Sequence, residues 1–180
     1  MIKTAKRTQL YPRAVGGSLK FDYLKAERIS DSDSRSAFSA LEEFCDEVMR
    51  TVTHSKSRSV LECTSLLSSF RMSREVMQWL TQQENTSFTL LDNHLAKVVL
   101  IHWPPGKVSS IHGHPTGGCM FKVLSGSVEE LRYTPSESPK LLAKSTYHPG
   151  SMAYLDDRLG YHAVGNPFEE SAVSLHVYTR

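Results

Sequence analysis

The second half of the chain, from about residue 85 onwards, is divided into short apolar runs by closely spaced turn residues. Glycine, proline, asparagine and serine recur between runs that are rich in valine, leucine, tyrosine and threonine, for example at Pro104-Pro105-Gly106 and Pro149-Gly150. Many short strands at this spacing, without helical periodicity between them, are typical of an antiparallel β-barrel or a jelly-roll sandwich. The predicted strands are 86–91, 95–103, 107–112, 119–124, 127–133, 139–146, 151–155, 161–164 and 172–179.

A helical segment precedes these strands. Between residues 36 and 53 the apolar side chains recur at helical spacing and form one continuous stripe, which predicts a helix that faces the core. Shorter patterns of the same kind predict helices at about 58–69 and 73–82. The fold is therefore expected to be mainly β, with a small N-terminal helical segment before the strands.

The length of the chain favours one domain. A chain of 180 residues can bury a sizeable core, and a second domain is not required. The first twenty residues contain five basic residues and no acidic one, which predicts a solvated basic arm. The predicted division is a flexible or weakly ordered arm at 1–34 and a single domain at 35–180, with a helical preface at 35–84 and a β-barrel at 85–180.

Composition argues against several classes of protein. The net charge is +2, without a basic patch, and no apolar run is as long as a membrane span, so neither a nucleic-acid nor a membrane partner is expected. The three widely spaced cysteines, Cys45, Cys63 and Cys119, indicate neither a disulfide framework nor a zinc finger. We expect a cytoplasmic monomer in which Cys45 and Cys63 are buried and inert.

The segment Ile111-His112-Gly113-His114 is the candidate metal-binding stretch. On an extended strand side chains repeat with a period of two, so His112 and His114 would project from the same face. Two converging imidazoles suit a first-row transition metal, and a glycine between them would remove bulk where the backbone curves around an ion. The pair alone also fits two half-buried or surface histidines, so the assignment of a metal site depends on the rest of the chain.

The spacing around this pair resembles the first motif of the cupin superfamily, with a cysteine where most cupins carry a glutamate ligand. The residues that match are Gly106, His112, His114, Cys119 and Gly126. Further along, His162 and Asn166 resemble the end of the second cupin motif. The resemblance implies a cupin (jelly-roll) β-barrel with His112, His114 and His162 at its mouth.

Several spaced segments between roughly 95 and 180 together resemble the cysteine dioxygenase family of thiol dioxygenases. They are 109–114, Cys119, 160–166 and 172–178. The resemblance implies that His112, His114 and His162 bind Fe(2+). It also implies that both atoms of O2 are added to the sulfur of a small thiol, cysteine or a related one, to give a sulfinic acid.

The same resemblance implies roles for residues around the metal. Cys119 matches a cysteine that in some members is joined by a thioether to a tyrosine, and Tyr178 matches that tyrosine. We therefore expect these two side chains to lie within covalent reach of each other. Ser174 and His176 would complete a Ser-His-Tyr relay that hydrogen-bonds towards the tyrosine hydroxyl. Two further positions fit the walls of a family site, Trp103 and Tyr161.

One position departs from the family pattern. Cysteine-selective members carry an arginine, within a Tyr-x-Arg element on an early strand, that binds the substrate carboxylate, whereas the corresponding stretch here is Phe88-Thr89-Leu90. Either another cation binds the carboxylate, or the substrate is not cysteine; 3-mercaptopropionate and mercaptosuccinate are the alternatives. The candidate cations are Arg132, Arg158 and Arg180.

Two other functions remain open for a three-histidine site. Zinc could activate water there in a hydrolase or lyase, although such an enzyme would want a carboxylate base near the open position. A non-catalytic cupin could instead bind a metal or a small ligand. The remaining histidines match nothing in the family and are expected to be surface or satisfied core residues. They are His54, His94, His102 and His148.

Overall fold

The structure of this protein, a computed structural model, describes residues 13–15, 18–20, 32–83 and 86–180, with the side chains of 38–83 and 86–180. Most of the predicted arm at 1–34 therefore lies outside the described residues. The described part of it comprises the antiparallel strands β1 (Arg13–Val15) and β2 (Ser18–Lys20) and the first residues of a helix.

The helices lie where the sequence predicts them. Serine caps begin two of these elements: the Ser59 side chain accepts the N–H of Leu61, and that of Ser73 accepts the N–H of Val76. None of the described helices combines the length and apolar character needed to cross a membrane. Their bounds are α1 (Ser32–His54), a 3-10 helix (Val60–Cys63), α2 (Thr64–Ser69) and α3 (Arg74–Thr81).

The apolar stripe of α1 faces the core as predicted. Cys45 and Cys63 are fully buried free thiols, and burial raises the pKa of Cys45 to about 12 and that of Cys63 to about 11. Both therefore remain protonated at neutral pH, which agrees with the prediction that they are inert. The buried stripe residues of α1 include Leu41, Phe44, Cys45, Val48 and Val52.

The remaining described strands form two antiparallel sheets. The five-stranded sheet has the order β3-β4-β10-β5-β8, and the three-stranded sheet has the order β7-β6-β9. Along the chain the strands are β3 (Ser87–Asp92), β4 (Ala96–Trp103), β5 (Cys119–Ser125), β6 (Val128–Tyr133), β7 (Leu141–Tyr147), β8 (Met152–Leu155), β9 (Tyr161–Gly165) and β10 (Ala172–Thr179). Eight of the predicted strands are confirmed to within two residues at each end.

The two sheets and the helices make a layered jelly roll. Alternate residues of β10, including Val173, Leu175 and Val177, are buried in one core cluster together with the apolar faces of the helices. The residues between them face the other sheet, because side chains in a strand alternate. The second cluster contains residues of both sheets, such as Phe121 and Val164. The predicted jelly-roll cupin fold is confirmed, but the described strands form two separate sheets and no closed barrel.

The predicted strand at 107–112 is wrong. This segment runs beside β9 but makes only isolated bridges with it, Val108 to Gly165 and His112 to His162. The side chains of Val108 and Ile111 are 60% and 42% exposed, so neither sheet buries the apolar residues of this segment. Without that burial the backbone pairs with β9 only at these two bridges, so it can turn at the histidines.

Candidate metal centre

Three histidine side chains converge between the two sheets. His162 comes from β9, His112 from the bridge opposite it, and His114 from the loop that follows. The Nε2 atom of His162 lies 3.1 Å from the Nε2 atoms of both His112 and His114. The ring nitrogens that face one another all lie within 4.8 Å, so the structure brings the three predicted ligands to one point.

The hydrogen bonds of His162 and His112 leave lone pairs facing inward. Nδ1 of His162 lies 2.8 Å from Oε1 of Glu130, and Nδ1 of His112 lies 2.9 Å from the carbonyl oxygen of Ser110. A carboxylate and a carbonyl can only accept, so each Nδ1 carries a hydrogen, and in this tautomer the lone pair of each Nε2 faces the centre. Two such lone pairs 3.1 Å apart repel each other unless a cation or a proton lies between them.

The spacing of the nitrogens fits a metal ion. Two ligand nitrogens at about 2.1 Å from one ion, roughly at right angles, are about 3.0 Å apart, close to the separation between these rings. Burial lowers the pKa of His112 and, with the neighbouring histidines, lowers that of His114 to about 4. Both rings are therefore neutral at neutral pH, which is the form that binds metals.

The loop geometry that aligns His114 differs from the prediction. His112 and His114 do not lie on one strand; the backbone N–H of His114 donates to Oδ1 of Asp157 at 2.6 Å, which fixes the turn after His112. A Cβ atom at Gly113 would lie 2.7 Å from the same carboxylate oxygen. The glycine therefore makes room for Asp157 and not for an ion, and Asp157 is a residue that the sequence pattern did not identify.

Cys119 and Tyr178 lie directly opposite each other on β5 and β10. Burial raises the pKa of each side chain, and a hydrogen bond between the two influences both values. The Tyr178 ring lies parallel to that of His114, with 6.4 Å between centroids and 15° between planes. The structure thus places a phenol beside the histidines and a buried thiol beside the phenol.

A chain of hydrogen bonds leads towards this phenol. The indole Nε1 of Trp103 donates to Oγ of Ser174 at 2.7 Å, and Ser174 in turn lies 2.7 Å from Nε2 of His176. From His176 the described contact with Tyr178 is a stacking of rings, with centroids 6.3 Å apart. The residues of the predicted relay are adjacent, and Trp103 forms the outer end of this chain of hydrogen bonds.

Glu130 is a residue of the site that the sequence pattern missed. It is fully buried on β6, where its carboxylate accepts from His162, from Nε of Arg132 at 3.0 Å and from the hydroxyl of Tyr147 at 3.0 Å. Burial raises its pKa, but the hydrogen bonds from His162 and Arg132 outweigh burial and leave the pKa below its ordinary value. Strand periodicity was the available signal, since Glu130 lies two residues after the buried Val128.

The three candidate arginines already have carboxylate partners. Arg132 pairs with Glu130, Arg158 with Asp156 at 2.6 Å, and Arg180 with Asp92 at 2.7 Å. Leu90 is buried in the cluster that faces the helices. A cleft of about 330 Å³ opens beside His114, and its lining residues are His114, Pro115, Thr116, Asp156, Asp157 and Arg158.

The other histidines lie outside this centre. Their predicted role as surface or satisfied core residues fits those that are exposed, namely His54, His94 and His148. It is wrong for His102, which is buried although neither ring nitrogen has a hydrogen-bond partner among the described residues. Burial lowers the pKa of His102, so the ring is neutral at neutral pH.

Comparisons with known proteins give a match along most of the chain. A family model described as "Cysteine dioxygenase type I" matches residues 32–180. The cysteine dioxygenase type 1 of Rattus norvegicus is 33% identical over 105 residues, which cover 56% of this chain and 48% of the rat protein. That of Danio rerio is 27% identical over 143 residues, covering 74% of this chain and 71% of the fish protein.

The chain spans about half the length of the mammalian relatives that it matches. Among solved structures, a cupin domain from Bordetella pertussis is similar with a TM-score of 0.41 and 21% identity, covering 52% of this chain and 91% of that domain.

Proposed function

The chain belongs to the cysteine dioxygenase type I family, and we propose that it is a non-haem iron thiol dioxygenase. The reaction is R–SH + O2 → R–SO2H, in which sulfur gives up four electrons and the two oxygen atoms take them up. The observation that carries the proposal is the convergence of His112, His114 and His162 beside the opposed pair Cys119 and Tyr178.

The donor set suits an anionic sulfur ligand. Three neutral imidazoles contribute no negative charge, so the charge of a divalent ion is left uncancelled. When bound there, Fe(2+) supplies the positive charge that attracts and deprotonates a thiol, together with the redox chemistry that O2 requires. Glu130 fixes the ring of His162, and the hydrogen bond at Nδ1 makes the Nε2 atom of that ring a stronger metal ligand.

Tyr178 is the proposed hydrogen-bond donor to the reacting group. Its pKa is raised by burial, so the phenol keeps its proton at neutral pH. The ring is held by contacts with His114 and His176, and His176 is itself fixed by its hydrogen bond with Ser174. A hydroxyl held in this way loses little conformational entropy when it binds substrate.

We also propose that Cys119 and Tyr178 become joined by a thioether. The bond would form between Sγ of Cys119 and a ring carbon of Tyr178, with loss of one hydrogen atom from each, and O2 is the oxidant that accepts them. The support is their direct pairing across β5 and β10 and the complete burial of the Cys119 thiol.

Zinc-dependent hydrolysis has less support. It requires a carboxylate base near the open position of the metal, and the carboxylates described beside the histidines are engaged. Glu130 accepts from the outer nitrogen of His162, on the side of the ring away from the centre, and Asp157 accepts from the backbone of His114.

A small thiol and O2 are the proposed partners of a monomeric enzyme.

Oxygen uptake by the iron-loaded protein tests the proposal. The thiols are cysteine, cysteamine, 3-mercaptopropionate and mercaptosuccinate, and mass spectrometry of the product should show a gain of two oxygen atoms. We expect uptake with at least one thiol, and its loss in His162→Ala. An iron-loaded protein that consumes no O2 with any of the four would contradict the proposal.

A further inference from the structure

One row of directly paired residues crosses the inner face of the five-stranded sheet beside Tyr178. The register pairs Asp92 with Lys97, Lys97 with Tyr178 and Tyr178 with Cys119. Directly opposed residues project from the same face, with Cβ atoms about 4.5–5.5 Å apart. Because Tyr178 stacks on His114, this is the face that looks towards the histidines, and Lys97 lies next to the phenol on it.

Lys97 has only a weak partner of opposite charge. Its Nζ lies 3.9 Å from Oδ2 of Asp92, which is beyond hydrogen-bond distance, and the side chain is 37% exposed. The other oxygen of Asp92 is bound by Nη2 of Arg180 at 2.7 Å. The side chains of Asp92, Lys97 and Arg180 together carry one more positive than negative charge, and the ammonium of Lys97 has unused donors.

The other charged groups around the centre already have hydrogen-bond or ion-pair partners. Asp156 is bound by Arg158, and Asp157 accepts the backbone N–H of His114. Glu130 is bound by Arg132 and His162. Lys97, which the register of β4 and β10 pairs with Tyr178, has no carboxylate within hydrogen-bond distance among the described residues.

We propose that Lys97 determines substrate specificity by binding the carboxylate of a small thiol. The side chains of Lys97 and Tyr178 project from the same face of neighbouring strands. The ammonium and the hydroxyl can therefore contact one anionic group while the thiol sulfur lies at the histidines. The substrate class is then a short mercaptocarboxylate, such as 3-mercaptopropionate or cysteine, and not an aminothiol without a carboxylate. This inference rests on the proposed function.

Steady-state kinetics of Lys97→Met tests this inference. For 3-mercaptopropionate we expect kcat/KM to fall about 10- to 100-fold, mainly through KM, because a charge-assisted contact to the substrate is lost. For cysteamine, which has no carboxylate, kcat/KM should change less than about twofold. Lys97→Arg should restore most of the activity, and Lys140→Met, at an exposed position before β7, should resemble the wild type.

A binding measurement without turnover separates this inference from the proposed function. The protein is loaded with Co(2+) and titrated anaerobically with 3-mercaptopropionate or cysteamine, and the thiolate-to-metal absorption band reports binding. Lys97→Met should weaken only the binding of 3-mercaptopropionate, and its circular-dichroism melting curve should match that of the wild type.

The outcomes that contradict the two proposals differ. Three results would overturn the role of Lys97 while the dioxygenase proposal stands, provided that the wild-type protein turns over thiols. In the first, Lys97→Met has unchanged kinetics; in the second, its kcat/KM falls equally for 3-mercaptopropionate and cysteamine. In the third, the wild type prefers cysteamine. If the wild-type protein binds no metal and oxidises no thiol, both proposals fall.

Discussion

Among single residues, the outer nitrogens of His162 and His112 matter as much as their inner nitrogens. The inner nitrogens of His162 and His112 can act as ligands because Glu130 and the Ser110 carbonyl hold the hydrogens on the outer ones. Glu130 is a charged group inside the sandwich, and it is tolerated there because three donors surround it.

Glu130→Gln is expected to weaken metal binding about 10- to 100-fold, because the amide removes the negative charge that supports His162. Competition with a chelator measures the affinity. Tyr147→Phe is the matched control, since it removes one donor to Glu130 and keeps the bond to His162. It should weaken metal binding less than Glu130→Gln does. Equal affinities in the wild type and Glu130→Gln would contradict the prediction.

The proposed cross-link is also a residue-scale prediction. After turnover, intact-mass measurement under reducing conditions should show a species lighter by two hydrogen atoms than the translated chain. Cys119→Ala and Tyr178→Phe should not form it, because each removes one of the two groups. Cys119→Ala should keep its iron and lose only part of its activity. A wild-type mass that never changes would rule out the thioether without affecting the dioxygenase proposal.

At the scale of elements, β10 organises the site. One set of its side chains packs on the helices, and the alternate set carries Ser174, His176 and Tyr178 into the space between the sheets. Period-two alternation in the sequence predicts this division. The segment that carries His112 and His114 could not be predicted equally well, because its bridges depend on β9, which lies about fifty residues further along the chain.

The turn between β8 and β9 leads to a prediction about pH. Hydrogen bonds from Arg158, and then from Tyr154, hold the pKa of Asp156 well below its usual range. Because the folded-state pKa is lower than the unfolded value of about 3.9, the ionised form stabilises the fold above about pH 4. This stabilisation is lost as the pH falls towards the folded-state pKa.

Asp156→Asn should therefore show a lower melting temperature than the wild type at pH 7 and a smaller difference from it at pH 2.5. Arg158→Met should act in the same direction, since it removes the first of these hydrogen-bond partners. Thermal melts at the two pH values measure the effect, and a constant difference between wild type and Asp156→Asn would contradict it.

At the scale of the whole molecule, the metal centre joins separate parts of the fold. His162 belongs to the three-stranded sheet, while His114 contacts Tyr178 of the five-stranded sheet. An ion bound by the three histidines would therefore link elements of both sheets, in addition to the core that lies between them. Such an ion binds the folded state and not the unfolded chain, so it adds to stability.

Fe(2+) supplied anaerobically at about a hundred times its dissociation constant should raise the free energy of unfolding by about 2.7 kcal/mol. His112→Ala and His162→Ala should abolish both iron retention and this stabilisation, while His148→Ala, at an exposed position, should keep both. Melting curves with and without metal measure the effect. A metal-dependent shift that survives in His162→Ala would place the ion elsewhere.

The helical preface, eight of the strands, the three histidines and the family are predictable from the sequence, because period and motif spacing are local properties of the chain. Which groups are paired with one another depends on the folded arrangement of the sheets. Glu130 meets His162, the candidate arginines meet carboxylates, and Lys97 is left beside Tyr178 with a weak partner. These pairings depend on the register of strands that are distant in the chain, and register is set by burial and packing across the sheets.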